Sequence, residues 1–160
     1  MLLRPNYNLN SIYDIDIKEL EEIGIRALFF DLDSTIMKSK SGKFSFRTLQ
    51  FLEDLKSNFK LAIITNNNKK SYIEKIKPQT DIPIYSNAKK PDTEVILKAC
   101  FELGIEPSQA IMIGDRPLSD ILGGEKAGMM TILVDSISKD EENFIVRFVR
   151  FLERLFIEKS

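Results

Sequence analysis

Five short apolar runs punctuate the chain, and four stop abruptly at polar residues or glycine. Ala27-Leu28-Phe29-Phe30 ends at Asp31, and Leu61-Ala62-Ile63-Ile64 ends at Thr65-Asn66. Ala110-Ile111-Met112-Ile113 ends at Gly114-Asp115, and Thr131-Ile132-Leu133-Val134 ends at Asp135. Ile82-Pro83-Ile84-Tyr85 is a weaker fifth run. Periodicity alone does not separate such runs from helix, but their shortness and their stops favour buried strands. Helical spacings lie between them. Leu49, Leu52 and Leu55 fall within Phe46 to Phe59, and Tyr72, Ile73 and Ile76 within Lys69 to Lys77. A third helix is expected from Pro91, whose fixed φ suits a first turn, to Leu103, where Gly104 stops it. A fourth runs from Leu118 to Ala127, before Gly128. Alternating strand and helix predicts a parallel sheet covered on both faces. The expectation is an α/β, Rossmann-like, three-layer α/β/α sandwich with a mainly parallel five-stranded sheet. It forms a single domain over 1–160, with an N-terminal arm over 1–24, irregular from Arg4 to Ile17, and an amphipathic helix over about 140–158. Ligands of such sheets sit beyond the carboxyl ends of the strands.

Composition narrows the chemistry. The 160 residues include no histidine and one cysteine, Cys100. Histidine-based hydrolase triads, most zinc sites and an internal disulfide are thereby excluded. The formal net charge of -1 gives no global attraction for nucleic acid. No run is long enough to cross a bilayer, and Met-Leu-Leu-Arg-Pro-Asn has no signal-peptide core. The expected location is cytoplasmic. What remains for chemistry is carboxylate, hydroxyl, lysine and backbone.

Those groups gather at the strand ends. Asp31 and Asp33 converge whether the strand continues or turns, and a cation is the economical way to keep both ionised. Oxygen ligands without histidine suit Mg²⁺. Asp115 supplies a third carboxylate, with Asp120 five residues later. Any one of these aspartates has a bland use as a helix cap or turn former. Two acidic clusters that both close apolar strands are much harder to explain as caps. Thr65 and Asn66 offer an anion pocket at a strand-to-helix turn, or simply a polar turn and N-cap. Lys89-Lys90-Pro91 alone is ordinary surface decoration.

Together these segments resemble the four motifs of the haloacid dehalogenase (HAD) superfamily of phosphatases, in the family's order. They are Asp31-Leu32-Asp33-Ser34-Thr35, Ile64-Thr65-Asn66, Lys90-Pro91 and Gly114-Asp115 through Asp120. The paired Gly123-Gly124, the Leu-Leu-x-Pro start and Ser11 to Ile15 extend the resemblance to the YqeG-like branch of subclass IIIA. Arg116-Pro117 and Glu125-Lys126 depart from that branch's usual pairs. The resemblance implies a Mg²⁺-dependent phosphomonoester hydrolase. Asp31 is the implied nucleophile, forming an aspartyl-phosphate, and Asp33 the implied general acid and base. Thr65 and Asn66 would hold phosphoryl oxygens, and Lys90 would offset charge. Mg²⁺ would be bound by Asp31, Asp115 and the Asp33 backbone carbonyl, with Asp120 nearby through water or paired with Lys90. Some relatives of this branch act on phosphatidylglycerophosphate, which makes it the leading substrate. The alternatives are another phosphorylated substrate or a non-catalytic binding module on the same fold. A receiver-like phosphoacceptor fits less well, because there the phosphorylated Asp stands apart from the acidic pair.

Spacing speaks to access. Neither Thr35 to Thr65 nor Thr65 to Lys90 leaves room for a folded cap, so an open site is expected, with 36–44 as a small flap. That suits a macromolecular phosphate or a lipid headgroup at a membrane surface, or a small one covered by another subunit of a homo-oligomer. From Asn143 to Lys159, Phe144, Ile145, Phe148, Val149, Leu152, Leu155 and Phe156 form one apolar stripe, with Arg147, Arg150, Arg154 and Lys159 elsewhere. The first expectation is a helix packed on the sheet with solvated arginines. Exposure of Phe148 and Phe151 would instead favour a membrane-interface helix or a self-association surface.

Overall fold

The computed structural model describes residues 2–138 and 144–158. Six parallel strands form one sheet: β1 (Tyr7–Leu9), β2 (Ala27–Phe30), β3 (Lys60–Ile64), β4 (Ile84–Tyr85), β5 (Ala110–Gly114) and β6 (Met130–Val134). Their order is β1-β6-β5-β2-β3-β4. Phe29 of β2 stands opposite Ala62 of β3 and Met112 of β5, so β2 is paired on both edges. The chain winds outward from β2 to β4, then crosses back to β5 and winds the other way. That reversal opens a crevice beyond the carboxyl ends of β2 and β5.

Alternation along each strand builds two cores. On one face Leu28, Phe30, Leu61, Ile63, Ile111 and Ile113 pack with Leu20 of α1 (Ile17–Glu22), Leu52 and Leu55 of α2 (Phe46–Leu55) and Ile76 of α3 (Lys70–Ile76). On the other, Phe29, Ala62, Ile64 and Met112 pack with Ile96, Ala99 and Cys100 of α4 (Glu94–Leu103). Each fully buried Leu, Ile or Phe contributes about 1.5–3 kcal/mol. This double burial fixes strand register and therefore where each terminal polar residue emerges. Helix α5 (Leu122–Lys126) lies so close to the sheet that a Cβ on Gly124 would come within 2.7 Å of Thr131 and 2.9 Å of Met112. The last described helix is α6 (Phe144–Arg154). Neither the 31–45 loop nor the path from β3 to α4 carries a folded insertion, so there is no cap.

Several expectations need correction. The sheet has six strands, because the segment from Arg4 to Ile17 is not irregular. Its β1 pairs with β6, a 3₁₀ turn follows at Ile12–Asp14, and Asp16 caps α1 by accepting from the Glu19 N–H. A three-residue edge strand is too short to show alternation, yet Ile12, Ile15 and Leu20 anchor the arm in the core. Pro91 does not open α4; it follows Lys90 in a turn, and the helix begins at Glu94. The expected helix from Leu118 is split into a π-helical turn, Pro117–Ile121, and α5. The C-terminal helix spans Phe144–Arg154; positions 140–143 and Lys159 lie outside the described residues.

Candidate active site

The end of β2 delivers Asp31 into the crevice, where its N–H donates to the Ile113 carbonyl of β5. The chain then folds back tightly. The N–H groups of Ile36 and Met37 donate to Leu32 O, and Ser34, at φ 70°, donates to Met37 O. A non-glycine residue in that left-handed region is strained, and such strain clusters at functional sites. The turn aims Thr35, fully buried, at the carboxylates. Its hydroxyl donates to Asp115 Oδ1 at 2.8 Å and lies 3.4 Å from Asp31 Oδ2.

Lys90 is the centre of charge. Its ammonium, 1% exposed, donates to Asp31 Oδ1 at 2.9 Å, Asp120 Oδ1 at 2.6 Å and Ile64 O at 2.7 Å. All three N–H groups are used. Burial opposes its charge, but Asp120 and Asp31 outweigh burial and hold its pKa above the ordinary lysine value. Asp120 reaches Lys90 from the π-helical turn, and its Oδ2 accepts from the Arg116 N–H at 3.1 Å. The approach needs a glycine: a Cβ on Gly114 would stand 2.2 Å from Asp120 Oδ2.

Asp31, Asp115 and Asp120 can place one carboxylate oxygen each within 4.8 Å of one another. Burial first, then the neighbouring carboxylates, raises the pKa of both Asp115 and Asp120. Three carboxylates face two cations, Lys90 and Arg150. An all-oxygen set with surplus negative charge fits a hard divalent cation.

The other expected residues sit at the rim of the same cleft, about 570 Å³ in volume. Asp33 turns its carboxylate away from the trio: Oδ1 accepts from Tyr72 Oη at 2.6 Å and from the Lys40 N–H at 3.0 Å. Thr65 is buried, and its hydroxyl accepts from the Asn67 N–H. The Asn66 amide grips the Lys90 backbone from both sides, accepting from its N–H at 2.7 Å and donating to its carbonyl at 3.1 Å. In this geometry Asn66 positions Lys90.

Thr35, Tyr72 and Arg150 had no role in the sequence reading. Thr35 stood inside a quoted motif, and its place four residues after Asp31 was the available signal. Tyr72 resembled a helix core position, and Arg150 a solvated charge.

A family model of haloacid dehalogenase-like hydrolases matches residues 47–134, more than half of the chain. The chain belongs to this family. The match contains Thr65, Asn66, Lys90, Asp115 and Asp120; Asp31 lies ahead of it, directly after the central strand β2. This HAD-like hydrolase is similar to the probable phosphatase YqeG of Bacillus subtilis, 28% identical over 151 residues, covering 94% of this chain and 87% of that protein. It is also similar to phosphatidylglycerophosphate phosphatase 1, chloroplastic/mitochondrial, of Arabidopsis thaliana. That match is 26% identical over 164 residues and covers 97% of this chain but 47% of the longer plant protein. Among solved structures, an HAD phosphatase from Thermococcus onnurineus matches with a TM-score of 0.58 at 16% identity, over 74% of this chain and 89% of that one. The last likeness speaks to fold alone. Family and relatives together make this hydrolase a phosphatase.

Helix α6 brings the polar side of the HAD-like hydrolase's last helix over the cleft. Arg150 pairs with Asp115 Oδ2, and Val146 joins it in the lining. Arg116 forks onto Glu153 at 2.6 and 3.1 Å, and Arg154 reaches Val134 O at 3.1 Å and Asp135 at 3.3 Å. Arg116, one of the departures from the branch pattern, thus anchors this helix. The expectation of solvated arginines over an apolar contact is reversed. Inward-facing arginines meet the carboxylates and carbonyls at the strand ends, while Phe148 and Phe151 are 50% and 59% exposed.

Proposed function

We propose that this phosphatase is a Mg²⁺-dependent phosphomonoesterase working through an aspartyl-phosphate on Asp31, with phosphatidylglycerophosphate as its substrate. The observation that carries the reading is the Lys90 ammonium held between Asp31 and Asp120, beside buried Asp115. Lys90, itself held by Asp120, fixes one Asp31 oxygen while leaving the carboxylate at the cleft. Asp31, Asp115 and Asp120 would surround the cation, with the Asp33 carbonyl as a further donor. Bound there, a divalent cation supplies positive charge to offset phosphoryl oxygens and the nucleophile.

The chemistry of the protein's own groups balances in two steps. An Asp31 oxygen bonds to phosphorus as the ester P–O bond breaks, and protonated Asp33 gives its proton to the departing alkoxide. Asp33 then takes a proton from water, whose oxygen bonds to phosphorus as the Asp31–phosphorus bond breaks. Phosphate leaves and Asp31 is restored. The Tyr72 hydroxyl and the Lys40 N–H hold Asp33 Oδ1 in place, leaving Oδ2 for this role. The Thr65 hydroxyl would provide a donor for the transferred group, and Lys90 positive potential. Thr35 and Asn66 act as positioning residues, on Asp115 and on Lys90.

The lipid substrate is supported by the named activity of the Arabidopsis relative and by the lack of a cap over the cleft. The test is phosphate release with Mg²⁺ from phosphatidylglycerophosphate in mixed micelles, against aryl and sugar phosphates. Asp31→Asn should lower turnover at least roughly a thousandfold, since a nucleophile's removal costs the covalent route itself. Near-native turnover in that variant would refute the nucleophile, and release confined to the small phosphates would refute the lipid.

A further inference from the structure

Helix α6 is amphipathic in the usual way but faces in an unusual direction. Its polar positions are engaged at the cleft: Arg150 on Asp115, Glu153 on Arg116, Arg154 on Val134 and Asp135. Its apolar positions other than Val146 face outward. Phe144 is 79% exposed and Ile145 72%, while Phe148, Val149, Phe151, Leu152, Leu155 and Phe156 are also exposed. Phe144 and Phe148 stack on each other, ring centres 6.2 Å apart. Leu2, also exposed, continues this surface, because Leu3 bonds to the backbone at Phe156 and Glu158. Contiguous apolar patches of this kind mark an interaction surface.

We propose that the outward face of α6 and Leu2 is a docking surface for an anionic lipid bilayer, which brings the cleft mouth against the headgroups. Charge complementarity selects this occupant. Arg147 is the one charged side chain exposed on the helix, while Arg4, beside Leu2, is paired with Glu158. The helix's one acid, Glu153, is buried against Arg116. A face of phenylalanine and aliphatic side chains with Arg147 beside it matches the acyl boundary and anionic headgroups together. No described helix is long and apolar enough to cross a membrane, so the contact is interfacial. A second copy fits less well. A two-fold pair would bring Arg147 of both copies to one apolar seam, and the helix exposes no acid to pair with either. The inference rests on the lipid-phosphate reading for its purpose and adds the surface where that substrate is met.

The test is co-sedimentation of the full chain with vesicles of phosphatidylcholine and phosphatidylglycerol in equal parts, and with pure phosphatidylcholine vesicles. Wild type should bind the anionic vesicles and bind the neutral ones more weakly. Phe148→Ser with Phe151→Ser should weaken binding at least roughly tenfold, with turnover of a soluble aryl phosphate unchanged. Arg147→Gln should weaken anionic binding about fivefold. Failure of wild type to bind either vesicle, or equal binding by the double variant, would overturn the proposal. A dimer that forms without lipid and is lost in the double variant, together with no vesicle binding, would assign the face to a second copy. Asp31→Asn should bind vesicles normally, which separates failure of the chemistry from failure of the surface.

Discussion

The strand-end cluster and α6 use the same kinds of residues in opposite ways. At the strand ends, charges are buried and paired within a few ångströms of the core, and each partner comes from a different strand or turn. Lys90, Asp31, Asp120 and Thr35 are held by the register of β2, β3 and β5. Helix α6 instead keeps its apolar side in solvent and is fastened to the body by charged contacts at its inner face. The first arrangement is bound up with the fold; the second can be altered while the fold stays. Chemistry and access are thereby carried by separable parts of the molecule.

The sharpest way to break that contrast is at Lys90. Lys90→Met leaves Asp31 and Asp120 buried without their cation. Urea unfolding should show a loss of about 3–5 kcal/mol, and turnover should fall with it. A loss below about 1 kcal/mol would show that the cluster is not bound up with the fold. Gly114→Ala comes next. Its Cβ must displace Asp120, which should cost roughly 1–3 kcal/mol and weaken divalent-cation binding by calorimetry. Unchanged cation affinity would remove Asp120 from the site.

A smaller effect concerns pH. Burial, then Asp31, raises Asp115 and Asp120 in the folded state. A group raised on folding binds more protons when folded. Its stabilisation is therefore complete below the ordinary carboxylate pKa and is lost as pH rises through the raised value. In chelator, stability should fall by roughly 1–3 kcal/mol from about pH 5 to about pH 8. Asp115→Asn should flatten that slope, as should saturating Mg²⁺. A slope that survives Asp115→Asn would place its origin elsewhere. The smallest effect belongs to α6. Glu153→Gln weakens a pair whose arginine is 40% exposed, so global stability should change by no more than about 1 kcal/mol. Amide exchange in α6 should nevertheless quicken, with the β-sheet unaffected.

The sheet was largely legible because short apolar runs that halt at Asp31, Thr65 and Asp115 allow few other readings. The ends of the five expected strands fall within two residues of those observed, the largest shift being the start of β4 at Ile84. The gathering of Asp31, Lys90, Asp115 and Asp120 was legible through motif order. What was lost depends on distance along the chain. Thr35 to Asp115 spans eighty residues and Tyr72 to Asp33 thirty-nine, and neither pairing leaves a local pattern. Periodicity also reveals that α6 has an apolar stripe without revealing which way it points. Inward arginines required knowing that carboxylates wait at the ends of β5 and β6.

The three bonds of Lys90 set a condition of shape as well as charge. Acceptors at 2.6, 2.7 and 2.9 Å arrive from two aspartates and a strand carbonyl. A compact ammonium on a flexible stem meets all three, whereas a guanidinium is flat, wider and fixed in its donor directions. Arginine at this position would preserve the charge balance and still push apart the strand ends that the lysine draws together.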